Sequence, residues 1–460
     1  ILGAVVPELR LPILIVGTLV FGGLSVAIKK RLPQPSFALF IVFSFLLPIT
    51  ANSLAETLRD MFDLSQTFSS GYWAAVFFIM ALVWVGSTWL YESRLFSITA
   101  FGALFLAFLR LGDLFEVEPG VYTLLTGFSA LIGLAGTWFL KKWKDNTFSL
   151  PLFLAAQVVQ AISLVISFII FGINTFDPSS EPLWNLVILA TWGLATAFYG
   201  ISNALYSSFA FPWLAAATLV PMPLFIATAF DLESLGSSIV LFVWGSVFTI
   251  TSEVIRRITR PQKYSLPVLL AALTSLVLAV IIGFVYEIWL GLLVALGCAI
   301  LLTVLHILHT RAWLWTLTLL NAIIAYFAFF QLEAVQRLDF FAGYQVLIIG
   351  ILLLLPDLFL KKDWSATPAW RMPLRIFGAL FIAYLSLALL IQGESAQQAI
   401  CYFILTLFVA AYALAYGNVY LAYLPAAYLP LAIVFTLDAL NLDLWLPALS
   451  ILAVLYYLAG

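Results

Sequence analysis

The sequence predicts an all-α, polytopic membrane protein of about seventeen transmembrane helices, and three observations carry that expectation. The first is composition: 64% of the residues are hydrophobic, 9% are charged and the mean hydropathy is +1.12, outside the range of soluble domains. The second is length. The apolar stretches mostly run about 17–25 residues, which suits a hydrocarbon core ~30 Å thick, and the gaps between them are too short for a soluble domain. The third is charge order. Every second gap carries Lys and Arg, save the neutral ones at Tyr206-Ser207-Ser208 and Tyr416-Gly417-Asn418, and every other gap carries Asp and Glu.

In chain order the spans fall at 11–28, 36–54, 72–90, 95–112, 120–140, 149–173, 183–206, 208–230 and 235–255. They continue at 266–286, 288–308, 312–332, 340–360, 373–392, 396–415, 417–437 and 443–459. The basic gaps hold Lys29-Lys30-Arg31, Arg94, Lys141-Lys142 with Lys144, Arg256-Arg257 through Lys263, Arg311, and Lys361-Lys362 through Arg371. The acidic gaps hold Glu56, Asp60 and Asp63, then Asp113 to Glu118, Asp177 and Glu181, Asp231 and Glu233, and Glu287. Glu333, Asp339, Glu394, Asp438 and Asp443 complete that series. Cytoplasmic loops accumulate Lys and Arg, so the N-terminus is expected outside and the C-terminus in the cytoplasm of a multi-pass cell-membrane protein. Most Trp stand near span ends, where indoles favour the headgroup region; Trp84, Trp192 and Trp244 sit deeper. Residues 55–71 mix Leu58, Met61, Phe62 and Phe68 with charges and are read as a short interfacial helix.

The strong basic gaps open at Lys29, Lys141, Arg256 and Lys361, each four spans after the last. After three of them comes Ser149-Leu150-Pro151, Ser265-Leu266-Pro267 and Met372-Pro373-Leu374. The weaker gaps open Tyr91-Glu92, Tyr206-Ser207, His309-Thr310 and Tyr416-Gly417-Asn418. Pro223-Leu224-x-Ile226 with Asp231 repeats as Pro430-Leu431-x-Ile433 with Asp438. A tandem four-helix repeat follows, over 1–119, 120–234, 235–339 and 340–442, with 443–460 as the first helix of a fifth copy. Four is even, so the copies are parallel and related about the membrane normal, unlike inverted transporter repeats. The helices that precede each basic gap resemble 445–460, which lacks its basic cluster. The polypeptide is therefore expected to continue past Gly460, and the start at Ile1 without Met suggests processing or truncation.

Little in the sequence points to catalysis. It contains no P-loop, HExxH, GxSxG or dinucleotide fingerprint, and so no cofactor is expected. Cys298 and Cys401 stand alone in apolar runs and read as packing residues. His306 and His309 share a helix face but lack a third ligand, so no metal site is expected. Charges fall near span ends: Arg110 with Asp113, Glu253 with Arg257 and Asp357 with Lys361 read as structural pairs. The lack of a deep carboxylate argues against a proton- or sodium-driven pump.

The deeper polar residues are amides. Gln157 and Gln160 share a face with Ser163 and Ser167, while Asn203, Asn321 and Gln345 stand singly. Such groups usually bond across helices; as a stripe, Gln157 and Gln160 would instead line a cavity. Pro221 and Pro223, beside Pro212, interrupt one span and Pro425 and Pro430 another, so both helices are expected to kink or break and expose carbonyls to a substrate. These six residues form the substrate-binding candidates.

Three functional classes follow. The aromatic-rich, charge-poor interior favours a non-enzymatic protein that binds or moves a lipid-like or hydrophobic substrate, with membrane lipids as partners. The second class is a structural subunit packed against other membrane proteins. The third is a membrane glycosyltransferase or lipid-modifying enzyme, for which Asp60 and Asp63 are the clustered carboxylates. No basic aromatic cluster suggests nucleic acid.

Overall fold

The computed structural model describes residues 9–62, 66–142, 146–176, 182–258, 262–359 and 367–459. The chain is an all-α polytopic membrane protein. Among the described residues there is no strand, and sixteen helices are long and apolar enough to cross a bilayer. In order the helices of the chain are α1 (Arg10–Ile28), α2 (Pro33–Phe62), α3 (Gln66–Tyr91), α4 (Arg94–Leu114), α5 (Pro119–Lys142), α6 (Asn146–Phe176) and α7 (Pro182–Leu205). Helices α8 (Ala210–Leu219) and α9 (Met222–Ala229) together make one span. Then come α10 (Ser234–Ile258), α11 (Gln262–Tyr286), α12 (Ile288–His309), α13 (Ala312–Phe330) and the single turn α14 (Glu333–Gln336). The last are α15 (Ala342–Phe359), α16 (Thr367–Ala388), α17 (Ser395–Tyr416), α18 (Val419–Ala439) and α19 (Trp445–Ala459).

Two compact units divide the chain. The first holds Ile1–Asp231 with Ser252–Ala271, the second Leu232–Thr251 with Ala272–Gly460. Short connections make sequence neighbours into antiparallel hairpins. In the first unit α1 pairs with α2, α3 with α4, α5 with α6, and α7 with α8 and α9. In the second, α12 pairs with α13, α15 with α16 and α17 with α18, while α16 also packs on α13 and α17 on α15.

Several helices begin earlier than the apolar pattern suggests. Helices α6, α11 and α16 start at Asn146, Gln262 and Thr367 and carry Pro151, Pro267 and Pro373 inside them. A proline there frees a carbonyl of the first turn, close to the helix end, where the loss is least costly. Thr147 O, freed by Pro151, is taken by Ser97 Oγ at 3.1 Å.

Two further expectations, the interfacial helix and a break in the second proline-bearing span, are corrected, while the break at Pro221 is as expected. Among the described residues, 55–71 form no separate interfacial helix: α2 runs unbroken for 30 residues, with Leu58, Met61 and Phe62 in its last turns, and Phe68 belongs to α3. Nothing between Pro48 and Phe62 breaks a helix, and 30 residues at 1.5 Å each give ~45 Å, so the end projects beyond a ~30 Å core. The proline-bearing spans differ from one another. At Pro221 the span breaks into α8 and α9, since Pro221 and Pro223, two residues apart, remove two donors from one turn. Helix α18 stays continuous through Pro425 and Pro430. The carbonyl that Pro430 frees, Ala426 O, accepts from Tyr456 Oη at 2.9 Å. Helix α19 runs from Trp445 to Ala459, the last described residue.

Lipid offers no hydrophobic drive between helices, so close approach at small residues holds them together. Leu19, Ile132, Val285 and Leu407 accordingly point outward, and glycines lie at the crossings. Gly22 of α1 faces Phe43 of α2, and Gly133 of α5 faces Ala156 of α6. Gly245 of α10 faces Leu276 of α11, and Gly350 of α15 faces Ile382 of α16. A Cβ at these glycines would meet its neighbour at 2.9, 3.0, 2.7 and 3.2 Å respectively. The four recur at the interval of the basic gaps, always between the first and second helix of the expected unit.

Two more features recur at that interval. Lys29 donates to Leu90 O and lies over the Tyr91 ring; Lys141 donates to Leu205 O and lies over the Tyr206 ring. Left-handed residues end the fourth helical segment each time: Glu116, Asp231, Asp339 and Asn441, with φ of 51°, 49°, 45° and 53°. Short polar side chains tolerate that conformation better than branched ones.

Candidate functional site

The one carboxylate described as fully buried is Asp357, near the end of α15. Three helices bring donors to it. Arg371 and Arg375 stand one turn apart on α16, so both point the same way. Tyr412 and Tyr416 have the same spacing at the end of α17. Oδ1 accepts from Arg371 Nε at 2.5 Å. Oδ2 accepts from Arg375 Nε at 2.8 Å, Tyr412 Oη at 2.7 Å and Tyr416 Oη at 2.6 Å. Tyr416 also accepts from Arg371, and both guanidinium groups lie over its ring, at 5.5 Å for Arg371 and 4.9 Å for Arg375.

Four donors saturate the carboxylate, which is what a buried anion requires. The sum of formal charges is positive: one carboxylate faces two guanidinium groups. The surplus is not shared evenly. The Arg371 side chain is 14% exposed and that of Arg375 is 45% exposed.

On the other flank of α16, Trp370 packs against His306 at 4.2 Å and Trp315 at 4.7 Å, and His306 stacks on Trp315 at 5.4 Å. His306 is fully buried, with Nδ1 2.9 Å from Arg311 O. A carbonyl only accepts, so Nδ1 carries the proton. The start of α16 is thus clamped from both sides, by indoles and by the ion cluster, which fixes the direction in which Arg375 points.

Arg375 points into a cavity of about 580 Å³ between α16, α17 and α18. Leu354, Ile382, Phe408, Val409, Leu421 and Leu424 make its apolar wall, with Ala379 and Ala383 on the α16 side. Arg375, Tyr412, Tyr416 and Asn418 gather at one end. Binding sites for small molecules are typically ~300–1,000 Å³, mostly apolar, with a few polar groups placed together.

In comparisons with protein families, curated proteins and solved structures, no match was found. The geometry alone therefore carries the functional reading.

The residues singled out from sequence lie elsewhere or play other parts. On α6, Gln157 Nε2 donates to Ser202 Oγ at 2.9 Å, while Ser163 Oγ donates to Thr123 O at 2.7 Å. Trp192 Nε1 donates to Ser167 Oγ at 3.0 Å, so this stripe joins helices of the first unit. Gln160 is fully buried, and neither of its amide atoms meets a hydrogen-bond partner among the described residues. Pro221 marks the α8–α9 break and Pro223 is buried in α9. Pro425 is buried and Pro430 half-buried in α18; neither lines the cavity, although Leu424 and Tyr428 beside them do. The Asn321 side chain bonds within its own helix, to Leu317 O, and that of Gln345 to Phe340 O, so neither side chain bridges spans.

Glu253 pairs with Arg257 at 2.8 Å as expected, and also with Arg256 at 2.8 Å; Arg110 pairs with Asp113 at 3.1 Å. For Asp357 the expected partner Lys361 lies outside the described residues, and the partners seen are Arg371 and Arg375. Asp63 also lies outside them; Asp60 is exposed at the end of α2. Among the described residues no three His, Cys, Asp or Glu stand together as metal ligands. The signal that was missed is the paired spacing itself, Arg371 with Arg375 and Tyr412 with Tyr416.

Proposed function

We propose that this integral membrane protein binds, or moves, a lipid-like amphiphile, and that the cavity between α16, α17 and α18 is where it does so. The observation that carries this reading is the cavity's division into a long apolar wall and one polar end bearing Arg375, Tyr412, Tyr416 and Asn418. A solute soluble in water has little use for six aliphatic and aromatic walls, whereas an acyl or isoprenoid chain buries against them favourably. The rigid seating of α16 supports the reading too, because a preorganised polar group loses less entropy on binding. The same proposal takes the basic gaps as cytoplasmic, so that the polar end lies toward the inner leaflet of the cell membrane. It takes the chain as four parallel four-helix units, which the recurring glycines, Lys–Tyr contacts and left-handed residues support.

A photoactivatable diacyl lipid in proteoliposomes tests it. Crosslinks should concentrate on peptides from 375–428, and Ala383→Trp, which fills the cavity, should remove them. Labelling spread evenly over the outward apolar flanks and indifferent to Ala383→Trp would favour a structural subunit instead.

A further inference from the structure

The donors that the polar end of the cavity can offer a ligand are the N–H groups of Arg375 and Asn418. Asp357 receives four hydrogen bonds, is fully buried and does not line the cavity, so it is not open to a ligand's donor. Tyr412 and Tyr416 have spent their hydroxyl protons on that carboxylate. Arg375 gives Asp357 its Nε, and its planar fork carries four more N–H groups on the two terminal nitrogens. The guanidinium lies over the Tyr416 ring, 4.9 Å from its centroid. Asn418 caps α18: its Oδ1 accepts from Tyr420 N at 3.0 Å, which leaves the amide NH₂ as the group it can offer. It stands at the N-terminus of a 21-residue helix, the end where the backbone dipole favours negative charge. No Asp or Glu is among the residues lining the cavity.

The charge count agrees with the hydrogen-bond count. Two guanidinium groups share one carboxylate, and the more exposed of them opens onto the apolar wall of the cavity. A cation so placed is stabilised by a counter-anion delivered from the same side. We propose that the occupant is a membrane lipid with an anionic phosphate headgroup, its phosphate held by Arg375 and Asn418 and its chain laid along Ile382, Phe408 and Leu421. This rests on the reading of the cavity as an amphiphile site. A planar guanidinium meets phosphate oxygens two at a time, so Arg375 selects for this headgroup over one that is merely polar.

Native mass spectrometry of the full chain, with three dioleoyl probes of identical chains, tests the inference: phosphatidylglycerol, phosphatidylcholine and diacylglycerol. Wild type should hold phosphatidylglycerol at least tenfold more tightly than the other two. Arg375→Gln should reduce that preference at least fivefold, Arg375→Lys should restore part of it, and Asn418→Ala should lower it severalfold. Ala383→Trp should weaken all three probes together. If all three bind equally and Ala383→Trp still weakens them, the anionic headgroup is wrong while the amphiphile site stands. If Ala383→Trp changes nothing, the site itself is wrong. A preference that survives Arg375→Gln unchanged would also overturn the proposal.

Discussion

Tyr416 Oη donates to Asp357 Oδ2 at 2.6 Å across 59 positions of sequence, tying the end of α17 to the end of α15. Arg371 and Arg375 reach the same carboxylate from α16, so three helices depend on one buried charge. Removing that charge leaves Arg371 buried without a counter-ion, and breaking a buried pair from one side typically costs ~3–5 kcal/mol. Arg375 is partly exposed and can turn outward, which places Asp357→Asn at the lower end, about 3 kcal/mol. Tyr412→Phe removes one donor of four and should cost about 1–2 kcal/mol. Unfolding in mixed micelles with increasing dodecyl sulfate measures both. A cost for Asp357→Asn no larger than for Tyr412→Phe would mean that the cluster does not hold the three helices.

Sequence and structure agree where a rule is repeated many times and disagree where one local contact decides. Span positions follow from hydropathy summed over some twenty residues, and errors at single positions average out. The helix starts at Asn146 and Thr367 were not legible because proline is read as a boundary, whereas a free carbonyl such as Thr147 O finds another donor. The same holds for Pro430, whose effect is offset by Tyr456 of another helix. The site was hidden for a related reason. Asp357 is four residues from Lys361, and local spacing suggested a helix-surface pair, but the partners seen come from α16 and α17. Gly22, Gly133, Gly245 and Gly350 stand at the interval of the basic gaps, but they become informative only once each is seen to meet the next helix.

The orientation reading predicts which ends an impermeant thiol reagent reaches. Single cysteines at Glu118 and Glu394 should react from outside intact cells, and one at Lys142 should react only after permeabilisation. All three positions are exposed, and the native Cys298 and Cys401 are buried, so the background is low. The reverse pattern would overturn the assignment of basic gaps to the cytoplasm.

Glycine replacements test the helix crossings. A methyl group at Gly245 would stand 3.0 Å from Ala272 O, a backbone atom that cannot rotate away, and 2.7 Å from Leu276 Cγ. Gly245→Ala should therefore cost about 1–3 kcal/mol through overpacking. Gly102 has nothing within 4 Å of such a methyl, so Gly102→Ala should be neutral or stabilise by up to about 1 kcal/mol. The same mixed-micelle unfolding compares them, and equal effects at the two positions would remove the close crossing from the account.

Gln160 offers the last test, because its surroundings contradict its chemistry. It is fully buried in α6, beside Gly127 and Ser163, yet neither amide atom meets a partner among the described residues. A buried amide without hydrogen bonds is costly, and replacing it with an apolar side chain of similar size removes that cost. Gln160→Leu should then be neutral or stabilise by about 1 kcal/mol. Gln157→Leu, one turn away, should destabilise by a similar amount, since it leaves Ser202 Oγ without its 2.9 Å donor. If the order is reversed, so that Gln160→Leu destabilises while Gln157→Leu does not, Gln160 holds a bound water or solute. The stripe on α6 would then line a polar cavity of its own rather than join three helices.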